Sequence, residues 1–220
     1  MLSFKVYSEI WDVNRRLAEL DLEEGNLIRP VQRGLAAWAS CTANHPPIAA
    51  GVWAWAETVC ALREELVPDR WERSNEANLP LTINPGKALA ICVNTGDEDT
   101  GLKVGAPCTG SSKGPRTRKA VLENLGQSVM FVDEVLPDPA TLNKGGRVVW
   151  ILLIYRDRKA REVRCELSRP ISINSQGYVD GWAERIILSR TPFDEDFVSL
   201  TDDGNGPQTP EIDLDIKKRA

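Results

Sequence analysis

Between Asn94 and Lys119 the chain reads NTGDEDTGLKVGAPCTGSSKGPRTRK. This stretch follows an apolar strand pattern and opens a helix. Its glycines permit close backbone approach to a ligand, and a helix N-terminus attracts anions through unpaired N–H groups. Lys113, Arg116, Arg118 and Lys119 stand at that entry, and no acid falls between Asp99 and Glu123. Lys113, Arg116 and Lys119 are therefore candidates for holding a phosphate or a nucleic-acid backbone. Arg116 and Lys119, three apart, share one helical face, whereas Arg118 points elsewhere. The spacing from Gly105 to Gly110 matches half a P-loop, but Ser111 and Ser112 stand where its Lys and Ser/Thr belong. Without that Lys the nucleotide-phosphate chemistry fails. The plainer alternative is a solvated loop and a capped helix, because Gly, Ser and Lys are common loop residues.

Carboxylates offer a second chemistry. Asp97, Glu98 and Asp99 are consecutive, so they miss the alternate spacing of a calcium-binding loop. A metal-dependent nuclease needs two or three carboxylates, often with a Lys, around a metal-bound water. Asp133, Glu134, Asp157, Lys159 and Glu166 fall at strand ends and are the residues available for it. Asp157-Arg158-Lys159 has the form acid-x-Lys, but it lies in an expected hairpin turn, where charges are ordinarily solvated. Histidine chemistry is nearly excluded, since His45 is the sole His and no GxSxG occurs. Cys41, His45 and Cys60 supply three zinc ligands where a structural site wants four. The sequence thus assigns no catalytic residue, no metal and no cofactor.

The elements that must position these residues are readable from periodicity. Residues 1–72 read as helical. Tyr7, Ile10, Trp11, Leu17 and Leu20 suggest a first helical stripe, with Pro30 in the first turn of a second helix. After Pro46-Pro47 a third helix carries Val52, Trp55, Ala56, Val59 and Leu66 on one side and Trp53, Ala56 and Cys60 on another. Residues 73–86, rich in proline, read as a connector. The region 87–193 then turns to strands: Ala88–Val93, Val129–Val135 and Val148–Tyr155, the last apolar on both faces and so central. Val163, Cys165 and Leu167 alternate with Arg164, Glu166 and Ser168, a strand covered on one side, reached by a hairpin over 156–161. Trp182–Leu188 reads as a further strand and Pro115–Leu125 as a helix. The fold class expected is α+β, an N-terminal helical layer followed by a mostly antiparallel sheet with one crossing helix.

Charge sets limits on partners. Of the 220 residues, 27 are Lys or Arg and 32 Asp or Glu, a net −5. The whole imbalance sits in 194–220, so the body up to Phe193 is neutral. A neutral body argues against nucleic-acid binding by bulk charge, which comes from many phosphate neutralisations, so any such binding is weak. The acidic tail is too polar to offset its ordering entropy, and disorder or docking on a partner is expected there. Five widely spaced cysteines without CxxC, and no visible signal peptide, point to a reducing cytoplasm. The longest apolar run, Val148–Tyr155, is too short to span a bilayer. Of seven tryptophans, four lie in the first 55 residues. That is more than a three-helix layer readily hides, so Trp53 and Trp55 are candidates for contact with a protein partner.

Several segments together carry a resemblance. They are AICVNTGDEDTG, KGPRT opening a helix, WILLIYRD, ELSRP and WAERIIL. Across residues 85–190 the chain resembles uncharacterised bacterial proteins from gene islands for restriction-like, anti-phage defence. The resemblance implies an accessory subunit of a multi-protein system, with no catalytic residue carried over. The sequence reading therefore favours a non-catalytic interaction subunit, with a metal-dependent nuclease or phosphodiesterase, or a phosphate- or nucleic-acid-binding module, as alternatives.

Overall fold

Two buried rows run along Val148–Asp157: Val149, Ile151 and Leu153 on one face, Trp150, Leu152 and Ile154 on the other. Apolar side chains on both faces make this segment an interior strand. The computed structural model describes residues 4–75, 78–130 and 147–193. In chain order its elements are β1 (Lys5–Tyr7), α1 (Ile10–Glu19), α2 (Gly25–Ala39), α3 (Ala49–Leu66), β2 (Glu72–Ser74), β3 (Leu81–Asn84), β4 (Leu89–Thr95), α4 (Pro115–Met130), β5 (Val148–Asp157), β6 (Glu162–Ile173), β7 (Val179–Ile187) and β8 (Thr191–Pro192). The fold is α+β, with one sheet ordered β1-β7-β6-β5-β4-β3-β2 and β8 pairing with β6. Only β1–β7 and β4–β5 run parallel among the described pairs, and α4 lies in the connection between β4 and β5.

Helices α1 to α3 cover one face, where Leu17, Leu27, Leu62 and Leu66 pack with Ile91, Leu152, Cys165 and Ile186. The α2–α3 contact is close because Gly34 has no side chain: a Cβ there would lie 2.0 Å from Thr58 Oγ1 and 2.7 Å from the Ala54 carbonyl. The opposite face is covered by α4, through Ala120 and Val121, and by the segment 96–114. Where β6 departs from β5 at Pro170, which has no N–H to donate, the buried Asn124 side chain closes the gap. Its Nδ2 donates to the carbonyls of Val149 and Pro170 at 2.8 and 3.0 Å, and its Oδ1 accepts from Val149 N at 3.1 Å.

Several sequence expectations are corrected. The first residues hold a strand, β1, and α1 begins only at Ile10, so its buried row is Val13 and Leu17, continued by Leu20 beyond its end, while Ile10 and Trp11 are exposed. Pro30 is buried in the second turn of α2, which starts earlier, at Gly25. On α3 the buried row is Ala54, Thr58, Ala61 and Leu62, which turns Trp53 and Trp55 outward. The proline-rich stretch 73–86 contributes β3 to the sheet, and Leu81 and Ile83 pack with α4's side of the core. Helix α4 continues to Met130, so Val129 and Met130 are helical, and Leu122 is exposed. The remainder of the Val129–Val135 strand and the 194–220 tail lie outside the described residues.

The largest correction concerns β6. Arg164, Glu166 and Ser168 are buried like Val163, Cys165 and Leu167, because the segment 96–106 lies over them. No helix among the described residues is long and apolar enough to cross a membrane.

Candidate functional site

The glycine-rich segment after β4 is built onto the sheet by its own backbone. Gly96 N donates to the Ile154 carbonyl at 2.9 Å, Gly110 N to Thr95 at 2.8 Å, Thr109 N to Val179 at 3.0 Å and Lys113 N to Gly177 at 2.7 Å. Two carboxylates shape the turn inside it. Asp97 accepts from Cys108 N at 2.9 Å and Asp99 N at 3.2 Å, and Asp99 accepts from Ala106 N at 3.0 Å. Burial raises the Asp97 pKa, against the lowering effect of these backbone donors. Trp182 fixes the far side of the segment by donating from Nε1 to the Pro107 carbonyl at 2.7 Å.

Beneath the segment lies a charged pair with no exposure to water on its acidic side. Glu166 is 0% exposed and takes two hydrogen bonds from Arg185, from Nε at 2.9 Å and Nη2 at 2.6 Å. It also accepts from Ser168 Oγ at 2.7 Å and from Gly101 N at 2.8 Å. Arg185 uses its remaining donors on the carbonyls of Gly105 and Leu102, both at 3.0 Å. A guanidinium and a carboxylate that satisfy each other bidentately tolerate burial when the remaining lone pairs and protons are also bonded. The pair therefore ties the 101–105 backbone to β6 and β7. Gly101 has φ +73, and a Cβ on it would lie 2.8 Å from Arg164 Cβ, so only glycine fits this approach.

The residues singled out for anion binding are individually engaged. Lys113 Nζ donates to Ser111 Oγ at 2.8 Å, Arg118 Nε to the Lys113 carbonyl at 3.2 Å, and Lys119 pairs with Glu123 at 3.8 Å. Arg116 also has a partner. The carboxylates considered for a metal are likewise apart. Asp157 caps its own turn, accepting from Lys159 N and Ala160 N, and pairs with Arg164 at 3.2 Å. Glu166 is committed to Arg185, and Asp133 and Glu134 lie outside the described residues. Among the described residues no group of three His, Cys, Asp or Glu side chains is placed to hold a metal ion. His45 accepts from Thr42 N through Nδ1 at 2.9 Å and meets the Trp53 ring edge-on at 4.9 Å.

Trp53 and Trp55 project from α3 at 44% and 41% exposure. Trp55 Nε1 donates to the Val93 carbonyl at 3.2 Å, so this ring stands at the rim of a cleft between α2, α3 and the C-terminal ends of β4 and β5. The cleft is lined in part by Val31, Leu35, Val93, Ile154 and Arg156. Arg156 and Arg158 both lie over the buried Trp38 ring, at 5.7 and 5.5 Å from its centroid. Sequence reasoning passed over Arg156 because it begins the polar run 156–161. The signal was present in the alternation: Trp150, Leu152 and Ile154 face inward, and Arg156 is next in that row.

Comparison of the chain with protein-family models, curated proteins and solved structures returns no match.

Proposed function

We propose that this chain is a non-catalytic interaction subunit of a bacterial multi-protein system acting in the cytoplasm, with anti-phage defence as the setting that the sequence resemblance suggests. The observation that supports the reading is the exposure of large aromatic side chains on two helices of the helical layer. Trp11 is 85% exposed in the first turn of α1, Phe4 and Ile10 are exposed as well, and Trp53 and Trp55 stand out from α3. Large aromatic side chains left in water are the residues that supply most of the energy in protein contacts. The alternative chemistries have less support. A nuclease would need convergent carboxylates, and Asp157 and Glu166 are engaged in separate structural roles. A phosphate site at Lys113, Arg116 and Lys119 would have to displace contacts that each base already makes.

Affinity purification of the chain from its native host, with Trp11→Glu and Trp53→Glu beside the wild type, tests the reading. The expected result is one partner recovered in stoichiometric amount by the wild type and lost from at least one variant whose circular dichroism is unchanged. Recovery that is the same for all three proteins, or a wild type that elutes alone, would count against it.

A further inference from the structure

Strand β8 runs antiparallel to the start of β6, with Thr191 beside Val163 and Pro192 beside Glu162. Beyond it, Phe193 N donates to the Arg161 carbonyl at 3.0 Å. The chain therefore leaves the described body alongside the turn that joins β5 to β6. That turn is basic, with Arg158, Lys159 and Arg161 all exposed. Its one acid, Asp157, accepts from Lys159 N and Ala160 N and pairs with Arg164, so that carboxylate is already committed. Arg158 lies over the Trp38 ring, 5.5 Å from its centroid, and has no carboxylate partner among the described residues. A guanidinium held against a ring keeps its N–H donors for a carboxylate. The sequence that follows Phe193 is DEDFVSLTDD, five acids and no base in ten positions. These residues lie outside the described ones.

We propose that the β5–β6 turn is a docking surface for the chain's own acidic segment, residues 194–203, with carboxylates of Asp194, Glu195 and Asp196 pairing with Arg158 and Lys159. Two arguments select this occupant. The first is charge: the segment is wholly acidic, and the turn holds no uncommitted acid to compete with it. The second is reach. Three extended residues span about 10 Å, roughly twice the spacing of the two strands that the turn joins. Phe193 is already bonded to one end of that turn, so the acids after it need no long connection. A single exposed ion pair contributes little. Here the tether holds the acids at an effective concentration on the order of millimolar, and several pairs act together. The acidic segment of a second copy, or an unrelated acidic chain, would have to displace this tethered one.

The test is NMR of the full chain labelled with nitrogen-15. At low salt the heteronuclear NOEs of Asp194–Asp196 are expected to match those of Thr191 and Phe193. They should fall in Arg158→Glu, and in the wild type at about 1 M salt, where the screening length is about 3 Å. Adding Glu195→Arg to Arg158→Glu should recover part of the loss, which a merely structural role of Arg158 would not allow. A second variant, with Asp194→Asn, Glu195→Gln and Asp196→Asn together, should shift the amide signals of residues 158–161 and leave those of 113–119 in place. Its changes all lie beyond Phe193, so it carries the test even if Arg158→Glu fails to fold. Dilution should alter none of these signals. NOEs that ignore both salt and Arg158→Glu, or shifts confined to residues 113–119, would overturn the proposal. Loss of the NOEs on dilution would assign the contact to a second copy and overturn it as well.

Discussion

Arg185 and Arg156 lie on opposite faces of one sheet, the first buried and the second half-buried, and their surroundings differ in almost every respect. Arg185 faces both oxygens of Glu166 and the carbonyls of Leu102 and Gly105 at 2.6–3.0 Å, under a segment that covers both side chains. Arg156 faces an aromatic ring, a second arginine and a cleft. The first arrangement is closed: each donor has its acceptor, and a ligand would have to break existing bonds. The second is open, with its charge unanswered. Burial of a charge on its own therefore does not mark a site, because a pair whose donors and acceptors are all bonded leaves nothing for a ligand.

The contrast breaks most visibly at Glu166. Glu166→Ala leaves Arg185 buried without its carboxylate and Gly101 N without its acceptor. A loss of about 3–5 kcal/mol is expected in chemical denaturation, together with faster amide exchange across 97–108. A loss below about 1 kcal/mol would mean that the pair is merely tolerated by the sheet.

A smaller effect is expected from the glycine that seats the segment over the pair. Gly101→Ala places a Cβ against Arg164 in a backbone conformation with φ +73. Destabilisation of about 1–3 kcal/mol should follow, measured by thermal unfolding.

The smallest change in stability is expected at Arg156. Replacing an uncompensated charge by Met should leave stability at neutral pH unchanged, or raise it by up to about 1 kcal/mol. The pH dependence gives the sign. Burial and the neighbouring Arg158 lower the Arg156 pKa to about 10, below its value in the unfolded chain, so above about pH 10 the unfolded chain binds more protons. Wild-type stability should therefore rise relative to Arg156→Met as pH climbs through that window, the reverse of a salt-bridged base. Paired denaturation curves at pH 8 and about pH 11 measure it, and a parallel response of the two proteins would contradict the uncompensated state of Arg156.

Much of the architecture was legible. The doubly apolar run at Val148 identified the central strand, the polar interval after it the β5–β6 hairpin, and the Pro and Ser/Gly punctuation the starts of α3 and α4. The alternation in β6 misled because it separates apolar from polar residues, and only where the polar row meets water does that equal inside from outside. Here the polar row meets a loop that supplies hydrogen bonds, so Glu166 and Arg185 are interior. Strand β1 was illegible for a different reason: three residues carry too little periodicity, and their pairing partner is remote in sequence. At the candidate sites, Trp53 and Trp55 were visible as an excess of tryptophan, whereas Arg156 was hidden by its position next to a turn.

That remote pairing has a consequence for how the chain comes to its final form. Lys5–Tyr7 align with Glu184–Ile186, so the strand made before every other element of the described body waits for nearly the last of them. Until β7 arrives, α1 has no Glu184 for Arg16 and only part of the surface that buries Val13 and Leu17. Strand β1 is thus among the last elements of the described body to settle, and closing so long a loop slows acquisition of the native state. In the interval, an unpaired β1 beside Phe4, Ile10 and Trp11 offers a strand edge with aromatic flanks to any neighbouring chain. Early association during translation, or a chaperone holding the N-terminal segment, would protect the step at which this protein is most exposed to misassembly.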